Sequence, residues 1–103
     1  MKKLKNGWVE GGVQEFLDLS SADMAYIETK LALSRRLRRE RETRNFTQTE
    51  LAERLGTSQS RVAKMEKGDA SVSIDLLLQA MFRLGLTPRQ LGRVFPTVQP
   101  SPA

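Results

Sequence analysis

The sequence predicts an all-α protein, and three observations carry that prediction. No segment alternates apolar and polar residues with a period of two, which is the pattern of a half-buried strand. A Ser or Thr followed three residues later by an acid or amide, typical of a helix start, occurs at Ser20, Thr47 and Thr87. Between Ser21 and about Thr43 no Gly or Pro interrupts the chain, which favours one long helix.

The first predicted helix, from Ser21 to about Thr43, would be about 34 Å long at 1.5 Å per residue, unless a kink or a split divides it. Its apolar residues, expected to face the core, are Met24, Ile27, Leu31, Leu33 and Leu37. A basic cluster accompanies them: Lys30, Arg35, Arg36, Arg38, Arg39, Arg41 and Arg44. We expect the helix to end before "RNFT", with Asn45 in the left-handed conformation.

Four shorter helices follow. The second and third, 48–55 and 59–67, each end at a glycine, and the third begins after a plain Ser cap. The fourth, "IDLLLQAMFRL", also begins after a Ser cap and has the spacing of a buried face at Ile74, Leu77, Leu78 and Met81. The fifth, "PRQLGRVF", begins with Pro88 at its first position, where a missing N–H costs nothing.

Length and composition limit the domain count and the chemistry. With 103 residues the chain builds one small domain, expected over 13–95, between a flexible segment 1–12 and a disordered tail 96–103. It contains no Cys and no His, so thiolate or imidazole metal sites, Cys nucleophiles and His-based triads are excluded. No Asp or Glu pair has catalytic spacing. We therefore expect no enzymatic activity, no cofactor and no metal.

The charge points to a polyanionic partner. Lys and Arg outnumber Asp and Glu by 17 to 12, which gives a net charge of +5. No run of 18 apolar residues occurs, and no apolar stretch follows the initial "MKK" as it would in a signal peptide. We expect a cytoplasmic protein that does not bind a membrane.

Residues 48–67 have the spacing of a helix-turn-helix. Ala52 is small enough for two helices to cross closely, Gly56 suits the turn, and Val62 and Met65 are the only apolar residues of the second helix that face inward. Its outward face is Gln59, Ser60, Arg61, Lys64 and Lys67. A polar helix of this kind fits a DNA major groove about 12 Å wide.

The stretch "FTQTELAERLGTSQSRVAKMEKGDASVSIDLLLQAMFRLGL" resembles the Cro/repressor (XRE) class of helix-turn-helix proteins, with the ordered signature T-Q-x-E-L-A-x-x-L-G and then hydrophobic-E-x-G. The resemblance spans about 31–91 and implies a compact five-helix bundle of the phage-repressor type, here with an N-terminally extended first helix. It also implies an ion pair between Arg41 and Glu66. One departure is Thr57, where Val is frequent.

Residue by residue, the resemblance implies phosphate contacts from Gln48, Ser58 and Lys67, the first two at helix N-termini, where free N–H groups favour anions. It implies base reading by Gln59, Ser60 and Lys64, with Arg61 reading bases or touching the backbone. The plain alternative for Gln59, Ser60 and Lys64 is a solvated helix face, and for Gln48 it is an ordinary first residue of a helix. For the arginine cluster, solvation is the usual interpretation, and long-range attraction to DNA is the alternative.

These features predict a DNA-binding repressor that binds a palindromic operator as a homodimer. The dimer surface is expected among Phe82, Leu86, Leu91, Val94 and Phe95. The segment from Gly11 to Glu42 resembles the N-terminal part of HigA-like antitoxins, which implies a small RNase toxin as a partner and repression of a shared operon. The alternatives are a stand-alone repressor without a toxin, and an adaptor or RNA-binding protein that keeps the same fold.

Overall fold

The computed structural model describes residues 20–96, and within that range the chain is helical with no strand, which confirms the all-α prediction. The five helices are α1 Ser21–Thr43, α2 Gln48–Leu55, α3 Gln59–Lys67, α4 Ile74–Arg83 and α5 Pro88–Gly92. None of them is both long and apolar enough to cross a membrane. The segment predicted to be flexible, 1–12, and all but the first residue of the predicted tail 96–103 lie outside the described residues.

The helix starts follow from local hydrogen bonding. All three predicted capping boxes form; at α2, Thr47 Oγ1 accepts from Glu50 N at 3.0 Å, and Thr47 N donates to Glu50 Oε1 at 2.7 Å. The same reciprocal bonds begin α1 and α5. The predicted fifth helix, 88–95, is too long, because the N–H groups of Arg93 and Val94 bond to carbonyls three residues back, and α5 ends at Gly92.

The core lies where α1 meets α3 and α4. Leu33 and Leu37 of α1 are fully buried, as predicted, and they join a cluster formed by Leu51, Ala52, Leu55, Val62, Met65, Val72, Leu77, Ala80, Met81, Leu86 and Leu91. Burial of α1 begins only at Lys30. The apolar stripe predicted in its first half is only partly buried: Met24 is half-buried, and Ile27 and Leu31 are 38% and 36% exposed.

Two arginines connect the helices through backbone carbonyls. Arg44, just after α1, donates to Leu84 O at 3.0 Å, and Arg83 of α4 donates to Leu55 O at 3.0 Å. Arg44 also bonds to the Glu40 carboxylate. Burial by itself raises the pKa of Glu40, but hydrogen bonds from Arg44 and Arg36 outweigh it, so that pKa lies below its usual value. These links satisfy carbonyls at two helix ends that have no intrahelical partner.

Two glycines with nearly the same backbone conformation have different surroundings. Gly56 ends α2 at φ 70° and Gly68 ends α3 at φ 69°, the left-handed region that side chains rarely adopt. A Cβ at Gly56 would contact nothing within 4 Å, whereas a Cβ at Gly68 would lie 2.9 Å from Leu31 Cδ2 and 3.3 Å from Ser34 Oγ. Gly68 therefore also permits the close approach of α3 to α1.

Substituting Gly56 and Gly68 in turn separates the energetic cost of backbone strain from the cost of steric crowding. We expect Gly56→Ala to lower the free energy of unfolding by about 1 to 2 kcal/mol, the cost of a left-handed L-residue. Gly68→Ala should lower it further, because Leu31 and Ser34 must also move. Urea denaturation of both variants measures the difference, and equal losses would show that the contact between α3 and α1 adapts freely.

Candidate nucleic-acid interface

The α2–turn–α3 unit is held by packing on its inner side and by backbone bonds in the turn. Ala52 and Val62 are buried between the helices, where the small Ala side chain lets them approach closely. Gly56 N and Thr57 N both bond back to α2, with Thr57 N donating to Ala52 O at 2.9 Å. These bonds close the C-terminus of α2 and direct the chain into α3.

The side chains of α3 divide sharply between two faces. Val62 and Met65 are buried. All five residues that the sequence assigned to the outward face are exposed: Gln59, Ser60, Arg61, Lys64 and Lys67. The helix is thus fixed by two apolar residues and leaves donors and acceptors free for a ligand. An exposed polar face on a positioned helix is what entry into a major groove requires.

Arg41 and Glu66, the two residues expected to pair, are joined by two hydrogen bonds. Arg41 Nε donates to Glu66 Oε2 at 2.6 Å, and Arg41 Nη2 donates to Glu66 Oε1 at 3.2 Å. The side chains are only 14% and 4% exposed. Arg41 Nη1 also donates to Phe46 O at 2.8 Å. The bond to Glu66 raises the pKa of Arg41, and the pair fixes the C-terminal turn of α3 against α1.

A chain of side-chain amides continues from this ion pair to the exposed face. Gln48 Nε2 donates to Glu66 Oε1 at 3.1 Å, and Gln59 Nε2 donates to Gln48 Oε1 at 2.7 Å. An ionised carboxylate only accepts, so Gln48 must turn its NH2 group toward Glu66 and its oxygen toward Gln59. The ion pair thereby determines which way both amides point.

The direction of these hydrogen bonds determines which donor and acceptor groups Gln59 can offer to a ligand. One of its two N–H hydrogens is used by Gln48, which leaves this exposed residue one N–H donor and its carbonyl acceptor for a ligand. Adenine presents the complementary pair in the major groove, the N7 acceptor and the N6 amino donor. The geometry of Gln59 therefore suits a bidentate contact with adenine.

The N-terminal turn of α3 is already capped by its own hydroxyls. Ser58 Oγ accepts from Arg61 N at 3.2 Å and lies 3.2 Å from Ser60 Oγ. The Ser58 hydroxyl is therefore used within the helix cap. Backbone N–H groups of the first turn stay available to an anion, because the first residues of a helix have no intrahelical acceptor.

Arg61 lies on a different side of α3 from Gln59. Together with Arg83 and Gln79 it borders a cleft of about 200 Å³ between the α2–α3 turn and α4. Gln59 instead faces α2 through Gln48. Of the two roles that the sequence left open for Arg61, a contact with the nucleic-acid backbone fits this flanking position better than a base edge at the centre of the groove.

Sequence reasoning missed the internal role of Gln48. It treated this residue only as a phosphate contact, whereas the structure places it half-buried between Glu66 and Gln59. No pattern along the chain signals the link, because its members lie 18 and 11 positions apart. In the described residues no group of three or more acidic side chains lies together as a metal site would require.

Comparison with known families matches residues 37–91, about half of the chain, to a family described as helix-turn-helix. The match begins in the second half of α1 and ends in α5, so it includes α2, α3 and both partners of the ion pair. No curated protein and no solved structure matches the chain.

The ion pair can be tested by stability measurements. Glu66→Ala would leave the Arg41 charge mostly buried without its partner, and we expect the free energy of unfolding to fall by about 3 kcal/mol. The matched control is Glu42→Ala, since Glu42 pairs with Arg38 at the surface, with side chains 54% and 62% exposed, and should cost at most about 0.5 kcal/mol. Similar losses in the two variants would mean that the buried pair contributes no more than a surface one.

Proposed function

Because the chain belongs to the helix-turn-helix family and is therefore a DNA-binding transcription regulator, we propose that it represses transcription by binding a palindromic operator as a homodimer. The observation that carries the proposal is the exposed polar face of α3, held in place by the Arg41–Glu66 pair and the amide chain behind it. A single α3 contacts only a few base pairs, so two copies on successive major grooves, about 34 Å apart, are needed for specific binding.

The contacts that we propose divide into two kinds. Base reading is assigned to Gln59, Ser60 and Lys64, with Lys64 suited to guanine O6 and N7. Phosphate contacts are assigned to the first turns of α2 and α3, at Gln48 and Ser58, and to Lys67 and Arg61 at the sides. Lys64 and Lys67 are exposed, and neither forms an ion pair within the described residues. Both ammonium groups are thus available to DNA.

Footprinting of the purified protein on the region upstream of its own gene tests operator binding, symmetry and autoregulation together. Two protected half-sites about one helical turn apart would support the proposal. No protection of any genomic fragment, even at low salt, would favour an adaptor that keeps the fold but does not bind DNA.

On the operator so defined, a double-mutant cycle tests the amide chain. Because Gln48 orients Gln59, we expect Gln48→Ala to weaken binding to all sequences and also to relax the base preference at the Gln59 position. The losses for Gln48→Ala and Gln59→Ala should be coupled by at least about 0.5 kcal/mol. Gln48→Ala and Lys64→Ala should be additive, which makes Lys64 the control. Fluorescence anisotropy gives the six dissociation constants of the wild type, the three single variants and the two double variants, and additivity of both pairs would exclude the orienting role.

The proposed dimer surface is narrower than the one predicted from the sequence. Leu86 and Leu91 belong to the core, so their assignment to the surface was wrong. Phe82 and Phe95 are 47% and 43% exposed, and Val94 is half-buried beside the core. These large exposed aromatic side chains, which follow α3 in the chain, support an isologous contact between two copies through Phe82 and Phe95.

Phe82→Ser and Phe95→Ser should both weaken dimerisation, since each removes exposed aromatic area from the proposed contact. We expect the dissociation constant of the dimer to rise at least tenfold without loss of thermal stability. Sedimentation equilibrium measures it, and Tyr26→Ser, at an exposed aromatic residue on α1, is the control. An unchanged dimer in both Phe variants would place the contact elsewhere.

We further propose that the protein is the antitoxin of a toxin–antitoxin operon. The supporting observation is the exposure of three large apolar side chains on the first half of α1, Tyr26, Ile27 and Leu31, which makes this half suitable for a partner protein. A stand-alone repressor has no evident use for it. Co-expression with the neighbouring gene tests the proposal: a stable complex, and growth arrest when the neighbour is expressed alone, are expected. A neighbour that is harmless and does not bind would leave the stand-alone repressor.

A further inference from the structure

The six arginines between positions 35 and 44, which we call the arginine cluster, separate into two groups in the structure. Four of its members are engaged within the chain: Arg36 and Arg44 with Glu40, Arg38 with Glu42, and Arg41 with Glu66. Arg35 and Arg39 have no carboxylate within salt-bridge distance among residues 20–96. The solvated-cluster interpretation therefore explains only part of the cluster.

Arg35 and Arg39 are exposed, but they are not isolated charges. Together with Ala32, Arg36, Arg93 and Val94 they line one open surface cavity of about 290 Å³. Arg93 comes from the end of α5, so two separate parts of the fold bring guanidinium groups to the same place. We call the cavity with its four arginines the arginine pocket.

The pocket concentrates charge of one sign. Arg35 and Arg39 are one helical turn apart, an arrangement in which like charges repel. Arg93 adds a third cation, and the only carboxylate that pairs with a lining arginine in the described part of the chain is Glu40, bonded to Arg36. An anion bound in the pocket would relieve the repulsion between these arginines.

The pocket lies on the side of α1 that faces away from α3. Leu33, Ser34 and Leu37 are buried and define the inner side of α1, toward α3 and α4. At 3.6 residues per turn, Ala32, Arg35 and Arg39 lie on the opposite side. A duplex bound along α3 would therefore contact a different face of the domain.

We propose that the arginine pocket binds a compact polyphosphate anion independently of the operator. The planar guanidinium group donates paired hydrogen bonds that match phosphate oxygens, and several arginines around one point suit a group with several charges. The cavity is at the lower limit of ligand pockets, about 300 Å³, which fits a triphosphate group better than a protein segment. Ala32 and Val94 supply little apolar area for anchoring a protein partner.

Isothermal titration calorimetry at about 150 mM salt tests the site, since this ionic strength screens exposed charges beyond about 8 Å. The probes are inorganic tripolyphosphate and ATP. We expect saturable binding of tripolyphosphate with one site per chain. The double variant Arg35→Gln/Arg39→Gln should weaken binding at least tenfold. The matched control Arg38→Gln/Arg54→Gln removes the same charge from two residues that do not line the pocket, and it should change binding less than twofold.

The possible outcomes separate the explanations. ATP binding more tightly than tripolyphosphate would identify a nucleotide as the source of the phosphate groups, and equal binding would identify inorganic polyphosphate. Equal losses in the two double variants, or no saturable binding, would overturn the site in favour of general electrostatic attraction. Hexaglutamate is titrated in the same way, and if it bound more tightly than tripolyphosphate it would instead indicate an acidic protein partner. Operator affinity should fall equally in both double variants, so failure of the pocket leaves the proposed repressor function unaffected.

Discussion

The buried pair between Arg41 and Glu66 is the interaction on which the rest of the candidate site depends. It joins α1 to the last turn of α3 with two hydrogen bonds, and both side chains are almost inaccessible to water. Two apolar residues would leave a nine-residue helix poorly oriented about its own axis. A bidentate ionic contact at one end removes that freedom, because guanidinium and carboxylate must lie nearly coplanar.

The same carboxylate also has a directional effect on its neighbours. Glu66 accepts from Gln48, and Gln48 accepts from Gln59, so a structural ion pair determines how an exposed amide presents its donor and acceptor. Stability and recognition are therefore not separate properties of this interface. A change that weakens the pair would alter the orientation of the Gln59 amide even where the helix stays folded, because Gln48 would no longer be held with its NH2 group toward Glu66.

Positive charge is distributed over two faces of the domain. Helix α3 carries the exposed Lys64 and Lys67, while Arg35 and Arg39 lie across α1 beside Arg93. Basic composition alone would assign all of these residues to one electrostatic role. Their location on different faces is the reason why we propose two anion-binding functions rather than one.

The sequence by itself determined where the helices begin and which face of α3 is polar and exposed. Capping at Thr47 and the glycines at 56 and 68 are local signals, because their hydrogen bonds and backbone angles involve residues at most a few positions apart. The resemblance to a known family supplied the pairing of Arg41 with Glu66. Only the tertiary structure decided the burial of Leu86, the exposure of Ile27 and the link through Gln48. These depend on which helices meet in space, and apolar periodicity does not reveal whether a face finds a partner.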